Sequence, residues 1–205
     1  MELNDIDKEI TQNAMISFLT CYGFEEASVV YTSTPITTGK NYLDWLQIGA
    51  QEGLNQDLAA SREVFVTSKN IEEATLFVRK VRAKYSDLVI DPTRLENINN
   101  WDQGDYHKFW IKVIRQLVST IVFANGWEYS NGSTLEYICG LEKGISLLTN
   151  DFQPLTPDAA LIKLKIAGSK YKILNVQSDI IEEAILFIKD YLAKKGNNSE
   201  RTLET

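Results

Sequence analysis

The chain has 205 residues, 44% of them hydrophobic and 24% charged, and its formal net charge is −7. This composition is typical of a globular chain with one sizeable core and excludes a largely disordered one. An acidic chain without a basic run repels long nucleic acids, although a helix end can still hold one small anion. No apolar run reaches the roughly 18 residues of a membrane span. We therefore expect neither a membrane nor a long nucleic acid as a partner.

Hydrophobic periodicity predicts helices and strands that alternate along the first 150 residues. The first half is expected to contain a helix over 4–20 stopping near Gly23, a strand SVVYTS turning at Pro35, a helix over 38–61 broken near Gly49 or Gly53, a strand EVFVTS and a helix over 71–85. The second half is expected to contain a strand DLVI, a helix over 106–118, a strand STIVFA, a helix over 133–144 ending at Gly144, and a strand ISLLT.

This alternation predicts an α/β fold with a mainly parallel sheet covered on both faces by helices. In such sheets, ligands bind beyond the carboxyl ends of the strands. Three loops follow predicted strands and are therefore expected at that edge: TSTPITTGK, PTRLENINNWDQGD and NGWEYSNGS.

Residues 1–192 are interpreted as a single α/β domain with a core at 28–150 and a C-terminal extension at 151–192. Within the extension, LIKLKIAGSKYKIL alternates apolar and polar residues and predicts a hairpin about Gly168-Ser169. The segment SDIIEEAILFIKDYLAKK predicts an amphipathic helix, and the polar residues 195–205 are expected to form a disordered tail.

Few residues are suited to metal or thiol chemistry. Cys21 and Cys139 have no disulfide or zinc spacing, and His107 is the only histidine. We therefore predict no metal site, no cofactor and no Ser-His-Asp triad, and interpret Cys139 as a buried small side chain. The acidic N-terminal sequence lacks the basic-then-apolar order of a signal peptide, which favours a cytoplasmic protein.

The segment FANGWEYSNGSTLEYICGLEKG, residues 123–144, allows two interpretations. Ser133 and Glu136 have the S-x-x-E spacing of a capping box, which needs no ligand. Alternatively, free N–H groups around Gly132 and Ser133 bind a phosphate and Glu136 acts on the same ligand. Near a helix N-terminus, Glu136 is expected to stay ionised, which suits a nucleophile. Trp127 offers a flat face to a base or sugar, or packs in the core.

Three segments resemble the nucleoside 2-deoxyribosyltransferase-like superfamily, most closely its nucleotide N-glycosidase and phage-type members. They are VVYTSTPITTG, LVIDP and IVFANGWEYSNGSTLEYICGLEKG, and the resemblance covers roughly residues 28–150. The third segment is the most specific, because six of its residues fall in register with the family pattern: Gly126, Trp127, Ser130, Gly132, Glu136 and Gly144.

The resemblance implies a flavodoxin-like three-layer sandwich and cleavage of the N-glycosidic bond of a nucleoside or nucleoside 5′-monophosphate. It implies that Glu136 attacks C1′ of the sugar or stabilises the cationic sugar, and that Tyr31 lies beside Glu136. It places the base against Thr34, Pro35 and Ile36, and the 5′ end of the ligand against Ser130, Gly132 and Ser133. It also implies a homo-oligomer.

The chain departs from the family pattern at several positions. Ser33 and Thr34 stand where the family usually has Ala-Gly, and Ser119 or Thr120 stands where an aspartate often opens the strand. The helix aspartate that assists the leaving base in many members corresponds to Ile111 or Lys112 here. Two upstream residues are the remaining candidates for the acid, Asp102 and Asp105, although Asp105 is also suited to capping the helix.

Three hypotheses follow. The first is an enzyme that breaks the base–sugar bond with Glu136, by hydrolysis rather than transfer, and it needs neither metal nor cofactor. The second is a catalytically inactive module of the same fold that binds a nucleotide or senses a nucleotide-derived signal. The third is a structural or assembly protein, which predicts no stabilisation by nucleotides.

Overall fold

The structure is a computed structural model that describes residues 5–21, 28–52 and 58–201. Its strands are β1 (Val29–Ser33), β2 (Leu88–Ile90), β3 (Thr120–Phe123) and β4 (Ser146–Leu148). Its α-helices are α1 (Asp5–Cys21), α2 (Lys40–Glu52), α3 (Leu58–Arg62), α4 (Lys69–Lys84), α5 (Gln103–Leu117), α6 (Asn131–Lys143), α7 (Pro157–Ile173) and α8 (Asp179–Arg201). The expected stop at Gly23 and break at Gly53 lie outside the described residues.

The four strands form one sheet in the order β2-β1-β3-β4, and every pair is parallel. The chain moves from β1 outward to β2 and then crosses back to β3, so the strand order reverses on either side of β1. Right-handed crossovers then place the helices before and after β2 on opposite faces. This is the flavodoxin-like three-layer sandwich, as predicted, and its reversal point is where such folds bind ligands.

Side chains along β1 alternate between the two faces of the sheet, as the pleat of a strand requires. Val29 and Tyr31 pack into the larger core, which contains residues of α5, α6, α7 and α8. Val30 packs with Val78 and Val81 of α4 on the opposite face. Ser33 follows Tyr31 by two residues, so its side chain shares the face of Tyr31.

The residues after β4 form two helices that cover α6. Helices α7 and α8 pack against each other, and α8 also packs against α6. The hydroxyl of Tyr171 on α7 donates a hydrogen bond of 2.6 Å to the backbone oxygen of Tyr129, which lies just before α6. The extension therefore supports the loop and helix that follow β3.

The predicted hairpin at 161–174 is wrong, because residues 161–173 lie within α7 and Leu174 is its C-cap. Thr156 caps the helix by accepting a hydrogen bond from the Ala159 N–H, and Pro157 begins it. The buried residues of α7 follow helical spacing, and they are Ala160, Leu164, Ala167, Gly168 and Tyr171. The apparent alternation of LIKLKI arises from lysines at the edges of this stripe.

The predicted strand EVFVTS is also wrong, because Glu63–Ser68 forms a π-helix continuous with α3 and α4. Only Val66 is buried in this segment, whereas Val64 and Phe65 are exposed. A β-branched sequence indicates a strand only where a sheet edge is present to pair with it, and here helices flank it on both sides.

Helix α8 continues to Arg201 and so includes residues expected in the disordered tail. None of the helices in the described part of the chain combines the length and apolar character of a membrane span.

Candidate active site

A cavity of about 570 Å³ opens at the carboxyl edge of the sheet, beside β1 and α6. This volume lies within the range of small-molecule sites. As predicted, the three loops that follow β1, β2 and β3 all contribute to it. Its walls come from Thr34, Ile36, Thr37, Thr38, Glu63, Thr67, Ile71, Pro92, Thr93, Leu95, Asn97, Trp101, Asp102, Gln103, Tyr106, His107, Trp110, Ser130, Gly132, Ser133 and Glu136.

Helix α6 carries Glu136 into this cavity in its second turn. The helix begins at Asn131, and the Ser130 hydroxyl caps it by accepting a hydrogen bond of 3.4 Å from the Ser133 N–H. The predicted capping box between Ser133 and Glu136 is therefore wrong, because the cap is three residues earlier and Glu136 lies beyond the first turn. The carboxylate of Glu136 is left for other partners.

Those partners are two hydroxyl groups from β1. Tyr31 Oη donates a hydrogen bond of 2.6 Å to Glu136 Oε1, and Ser33 Oγ donates one of 2.5 Å to Oε2. Both donors reach the same carboxylate because residues two apart on a strand project from the same face. Each carboxylate oxygen therefore has one fixed donor, which holds the carboxylate in one orientation.

The carboxylate of Glu136 is enclosed without a cation. Burial raises its pKa to about 7, and the hydrogen bonds from Ser33 and Tyr31 oppose that rise. The expectation that the helix dipole keeps Glu136 fully ionised is wrong, because Glu136 lies past the first turn, where the dipole is strongest. Burial, followed by the charge of Glu136, raises the pKa of Tyr31 well above its ordinary value, so Tyr31 remains a donor.

Asp102 and Asp105 form the capping box of α5. Asp102 accepts a hydrogen bond of 3.0 Å from the Asp105 N–H, and Asp105 accepts one of 3.0 Å from the Asp102 N–H. Asp105 also pairs with Lys8 of α1 at 2.7 Å, and the Lys8 ammonium lowers its pKa. Asp102 is exposed and lines the cavity, whereas Asp105 is buried and does not.

The remaining predicted site residues separate into two groups. Thr34, Ile36, Ser130, Gly132 and Ser133 line the cavity, as already given, whereas three others do not. Pro35 lines a separate cavity of about 380 Å³ beside α4. Gly126 has a φ of 77° and turns the chain after β3. Trp127 is 3% exposed, and its ring stacks on that of Tyr137 with a centroid distance of 5.0 Å. Trp127 is a core residue rather than a platform for a base.

The bend after β1 is held from outside the cavity. The side-chain amide of Asn70 on α4 donates hydrogen bonds of 2.7 and 2.8 Å to the backbone oxygens of Ile36 and Thr38. Asn41 donates to Asn70 in turn, at 2.8 Å. Both asparagines are buried, so their hydrogen bonds hold the backbone of this bend in place at the edge of the cavity.

The sequence interpretation missed several residues of the cavity. Ser33 was treated only as a departure from the family pattern. Its position two residues after Tyr31 on the same strand was a usable signal, because it places both side chains on one face, where both contact Glu136. His107 was considered only for a catalytic triad. Trp101 and Trp110 belong to an aromatic cluster with Phe109, in which ring centroids are 5.6 Å and 4.8 Å from Phe109. Trp101 precedes α5 and Phe109 and Trp110 are adjacent on it, so the sequence carries no spacing that marks these rings as a cavity wall.

Three buried polar atoms on the cavity wall have no hydrogen-bond partner among the described residues. They are Thr34 Oγ1, Trp101 Nε1 and Ser133 Oγ. A buried polar atom without a partner is unfavourable unless a ligand or water satisfies it, and such atoms are rare in folded proteins. Three further atoms of this kind, Glu128 Oε2, Thr134 Oγ1 and Tyr137 Oη, belong to residues that do not line the cavity. A polar ligand or water in the cavity would satisfy the three on its wall.

Comparison of the chain with protein-family models, with curated proteins and with solved structures gave no match. Within the described ranges, no group of three or more histidine, cysteine, aspartate or glutamate side chains is placed to hold a metal ion. The functional argument therefore depends on the chemistry of the cavity itself.

Proposed function

We propose that the protein cleaves the N-glycosidic bond of a nucleoside or nucleoside 5′-monophosphate, with Glu136 as the group that acts on C1′ of the sugar. The observation that carries the proposal is the carboxylate of Glu136, held by Tyr31 and Ser33 at a cavity wall that carries unpartnered polar atoms. The resemblance of residues 28–150 to the nucleoside 2-deoxyribosyltransferase-like superfamily supports the same chemistry.

The chemistry of the reaction requires such a carboxylate. As the bond from C1′ to the base nitrogen breaks, the base leaves with the electron pair and the sugar becomes positively charged. Glu136 either forms a bond to C1′ or stabilises this charge across a short gap. Water then attacks C1′, and any bond from C1′ to Glu136 breaks, with its electron pair returning to the carboxylate. The water oxygen becomes the sugar hydroxyl, and the proton that it loses balances the one taken up by the base. The hydrogen bonds from Tyr31 and Ser33 keep the Glu136 carboxylate oriented towards C1′ while positive charge develops on the sugar.

The lining of the cavity suits the other parts of such a substrate. The rings of Trp101 and Trp110 offer apolar surface to a base, and Trp101 Nε1 and Thr34 Oγ1 offer hydrogen bonds to its edge. Ser133 Oγ and the first N–H groups of α6 suit the 5′ substituent of the sugar. The sugar would then lie over Glu136, between the base and the 5′ substituent.

The test is release of free base. The purified chain and its Glu136→Gln variant are incubated with nucleosides, their 5′-monophosphates and NAD, and free base is measured by chromatography. We expect base from the unmodified chain and a loss of about a thousandfold or more in the variant, the scale seen when a nucleophile is removed. Glu142→Gln is the matched control, because Glu142 is on the same helix but is exposed and paired with Arg115 at 3.1 Å.

A second candidate function is supported by the state of the acidic residues on α5. Ile111 or Lys112 stands where many members of the family that the chain resembles carry an acid, and Asp105 is committed to Lys8. Without a positioned acid, the same cavity would bind a nucleotide and not cleave it, as in a signal-sensing module. This alternative predicts that nucleotides stabilise the unmodified chain and Glu136→Gln equally, and that neither releases base.

A further inference from the structure

The cavity is acidic and contains one basic side chain. Three carboxyl groups line it, from Glu63, Asp102 and Glu136, and the lining includes no lysine or arginine. His107 is the one basic residue on its wall within the described part of the chain. A doubly charged phosphate ester would be repelled by these carboxylates unless a positive partner were present. A protonated His107 would supply such a partner on the wall itself, whereas Arg62 lies beside the wall and donates a hydrogen bond of 2.9 Å to the backbone oxygen of Thr37.

His107 lies against the N-terminal turn of α6. Its Nε2 atom is 3.1 Å from the position that a Cβ would occupy at Gly132, and its Cδ2 atom is 3.5 Å from the same point. The Ser130 Oγ, which caps the helix, is 3.9 Å from that point. Glycine at 132 thus leaves room for the imidazole edge beside the first N–H groups of α6.

A second feature at this position indicates a ligand independently of the helix end. Ser133 is 2% exposed, lines the cavity, and its Oγ has no hydrogen-bond partner among the described residues. Helix α6 is 13 residues long, so its N-terminus carries a developed positive potential. Imidazole, hydroxyl and backbone N–H groups thus converge on one corner of the cavity.

We propose that His107 is the residue that determines specificity for a 5′-phosphate: protonated, it admits the monophosphate; neutral, it leaves the cavity to the unphosphorylated nucleoside. This inference rests on the proposed function, since it names the substrate class that the same site takes under each condition. His107 is a binding residue in this account and takes no part in breaking the glycosidic bond.

The surroundings of His107 set the pH range of this change. Burial lowers its pKa from the ordinary value, and the carboxylate of Asp102 opposes that shift. On its own helix, Asp105 is neutralised by Lys8 of α1, and Lys108 is exposed. Across the cavity, Glu136 of α6 and Glu63 of the π-helix contribute negative charge when ionised. Burial therefore favours the neutral imidazole in the empty cavity, and a bound phosphate would favour its protonation.

The chain contains a single histidine, which makes a direct experiment practicable. The imidazole Hε1 signal is followed by proton NMR as a function of pH, using the chain without a histidine tag, first alone, then with ribose 5-phosphate, then with ribose. We expect ribose 5-phosphate to raise the pKa of His107 by about one unit, as a close opposite charge does, and ribose to leave it unchanged. By linkage, the contribution of His107 to the affinity for ribose 5-phosphate, measured as the difference from His107→Gln, should fall about tenfold as the pH rises through that interval.

Two variants complete the experiment. His107→Gln should lose the part of the pH dependence that comes from the imidazole, keep the part that comes from Glu136 and from the phosphate itself, and bind ribose 5-phosphate more weakly than the unmodified chain at low pH, while its affinity for ribose stays the same. Gly132→Ala keeps every charge but crowds the imidazole, and should weaken ribose 5-phosphate more than ribose. A pKa of His107 that does not move with ribose 5-phosphate overturns the inference, as does a His107→Gln variant that binds it as tightly as the unmodified chain.

The outcomes for the inference and for the proposed function are distinguishable. A pKa shift with ribose 5-phosphate and no base release from any substrate would uphold the role of His107 and refute cleavage. Base release from nucleosides with no shift would uphold cleavage and refute the role of His107.

Discussion

Two acidic residues near the starts of neighbouring helices have opposite surroundings. Asp105, at the third position of α5, is buried against the Lys8 ammonium and is part of a capping box. Glu136, at the sixth position of α6, is held by two hydroxyls and has no ion pair in the described part of the chain. The pKa of Asp105 is lowered by its Lys8 partner, whereas burial raises that of Glu136.

This comparison indicates that the role of a carboxyl group depends more on its hydrogen-bond or ion-pair partner than on its position in a helix. An ammonium partner satisfies Asp105 and commits it to holding α1 against α5. Hydroxyl partners orient Glu136 without neutralising it, which leaves its charge to act on a ligand. The following predictions separate the two residues, beginning with the largest expected effect.

Replacing each carboxyl group by its amide should affect turnover very differently. With a substrate found by base release, Glu136→Gln should lower kcat by about a thousandfold or more. Asp105→Asn should leave kcat per folded molecule within a few-fold, because Asp105 does not line the cavity. Base release, corrected for the folded fraction by circular dichroism, measures both. Equal losses in the two variants would contradict the separation.

Removing one hydroxyl from Glu136 should lower turnover by about 10- to 100-fold, the scale of losing a hydrogen bond to a charged group. Tyr31→Phe and Ser33→Ala each remove a donor that favours the ionised carboxylate, so their pH–rate profiles should also shift to higher pH. Thr32→Val is the matched control on the same strand, because Thr32 Oγ1 donates to the Ile90 oxygen at 2.8 Å on the opposite face. Turnover in Thr32→Val should be nearly unchanged.

Glu136 should make the folded chain less stable as the pH rises. Its folded pKa of about 7 exceeds the ordinary 4.5, so between these values the folded protein keeps a proton that the unfolded chain has lost. The free energy of unfolding therefore falls across this range, by roughly 1–3 kcal/mol. Urea unfolding at several pH values should show Glu136→Gln gaining stability relative to the unmodified chain from about pH 5 to pH 7. A constant difference would refute the raised pKa.

The smallest effect concerns the α5 cap. Asp105→Asn should cost about 1 kcal/mol of stability through the weakened cap. The pKa of Asp105 in the folded chain is lowered from the ordinary 3.8. The stability that the ionised Asp105 contributes is therefore fully present above pH 3.8 and is lost as the pH falls through the folded pKa. Thermal unfolding at neutral and acidic pH measures it. A cost that grows with acid would contradict the ion pair.

The sequence predicted the parallel sheet and the edge where the loops meet. Local patterns carry this information, since strands, turns and helix starts depend on nearby residues. The role of Glu136 came from the resemblance to a family, because the local pattern also allowed a helix cap, and it stays a prediction. The partner of Asp105 could not be predicted in the same way, because Lys8 is 97 residues away. The contacts of Glu136 with Tyr31 and Ser33 span 105 and 103 residues, and only the resemblance to a family indicated the first.

Two element predictions were wrong for a related reason. EVFVTS is rich in β-branched residues and LIKLKI alternates like a strand, yet each is helical because helical neighbours and a buried stripe outweigh local propensity. The cap at Thr156-Pro157 was a usable signal for α7. No comparable signal marked the π-helix.

The most direct test of the central claim is the titration of the Glu136 carboxyl group itself. Glutamate labelled with ¹³C at its side-chain carboxyl carbon would be incorporated, and the signals followed by NMR across the pH range. One glutamate should titrate near pH 7, and its signal should be absent from Glu136→Gln but present in Glu142→Gln. If every glutamate instead titrates near the ordinary 4.5, Glu136 is not the enclosed, uncompensated carboxyl group on which this account depends.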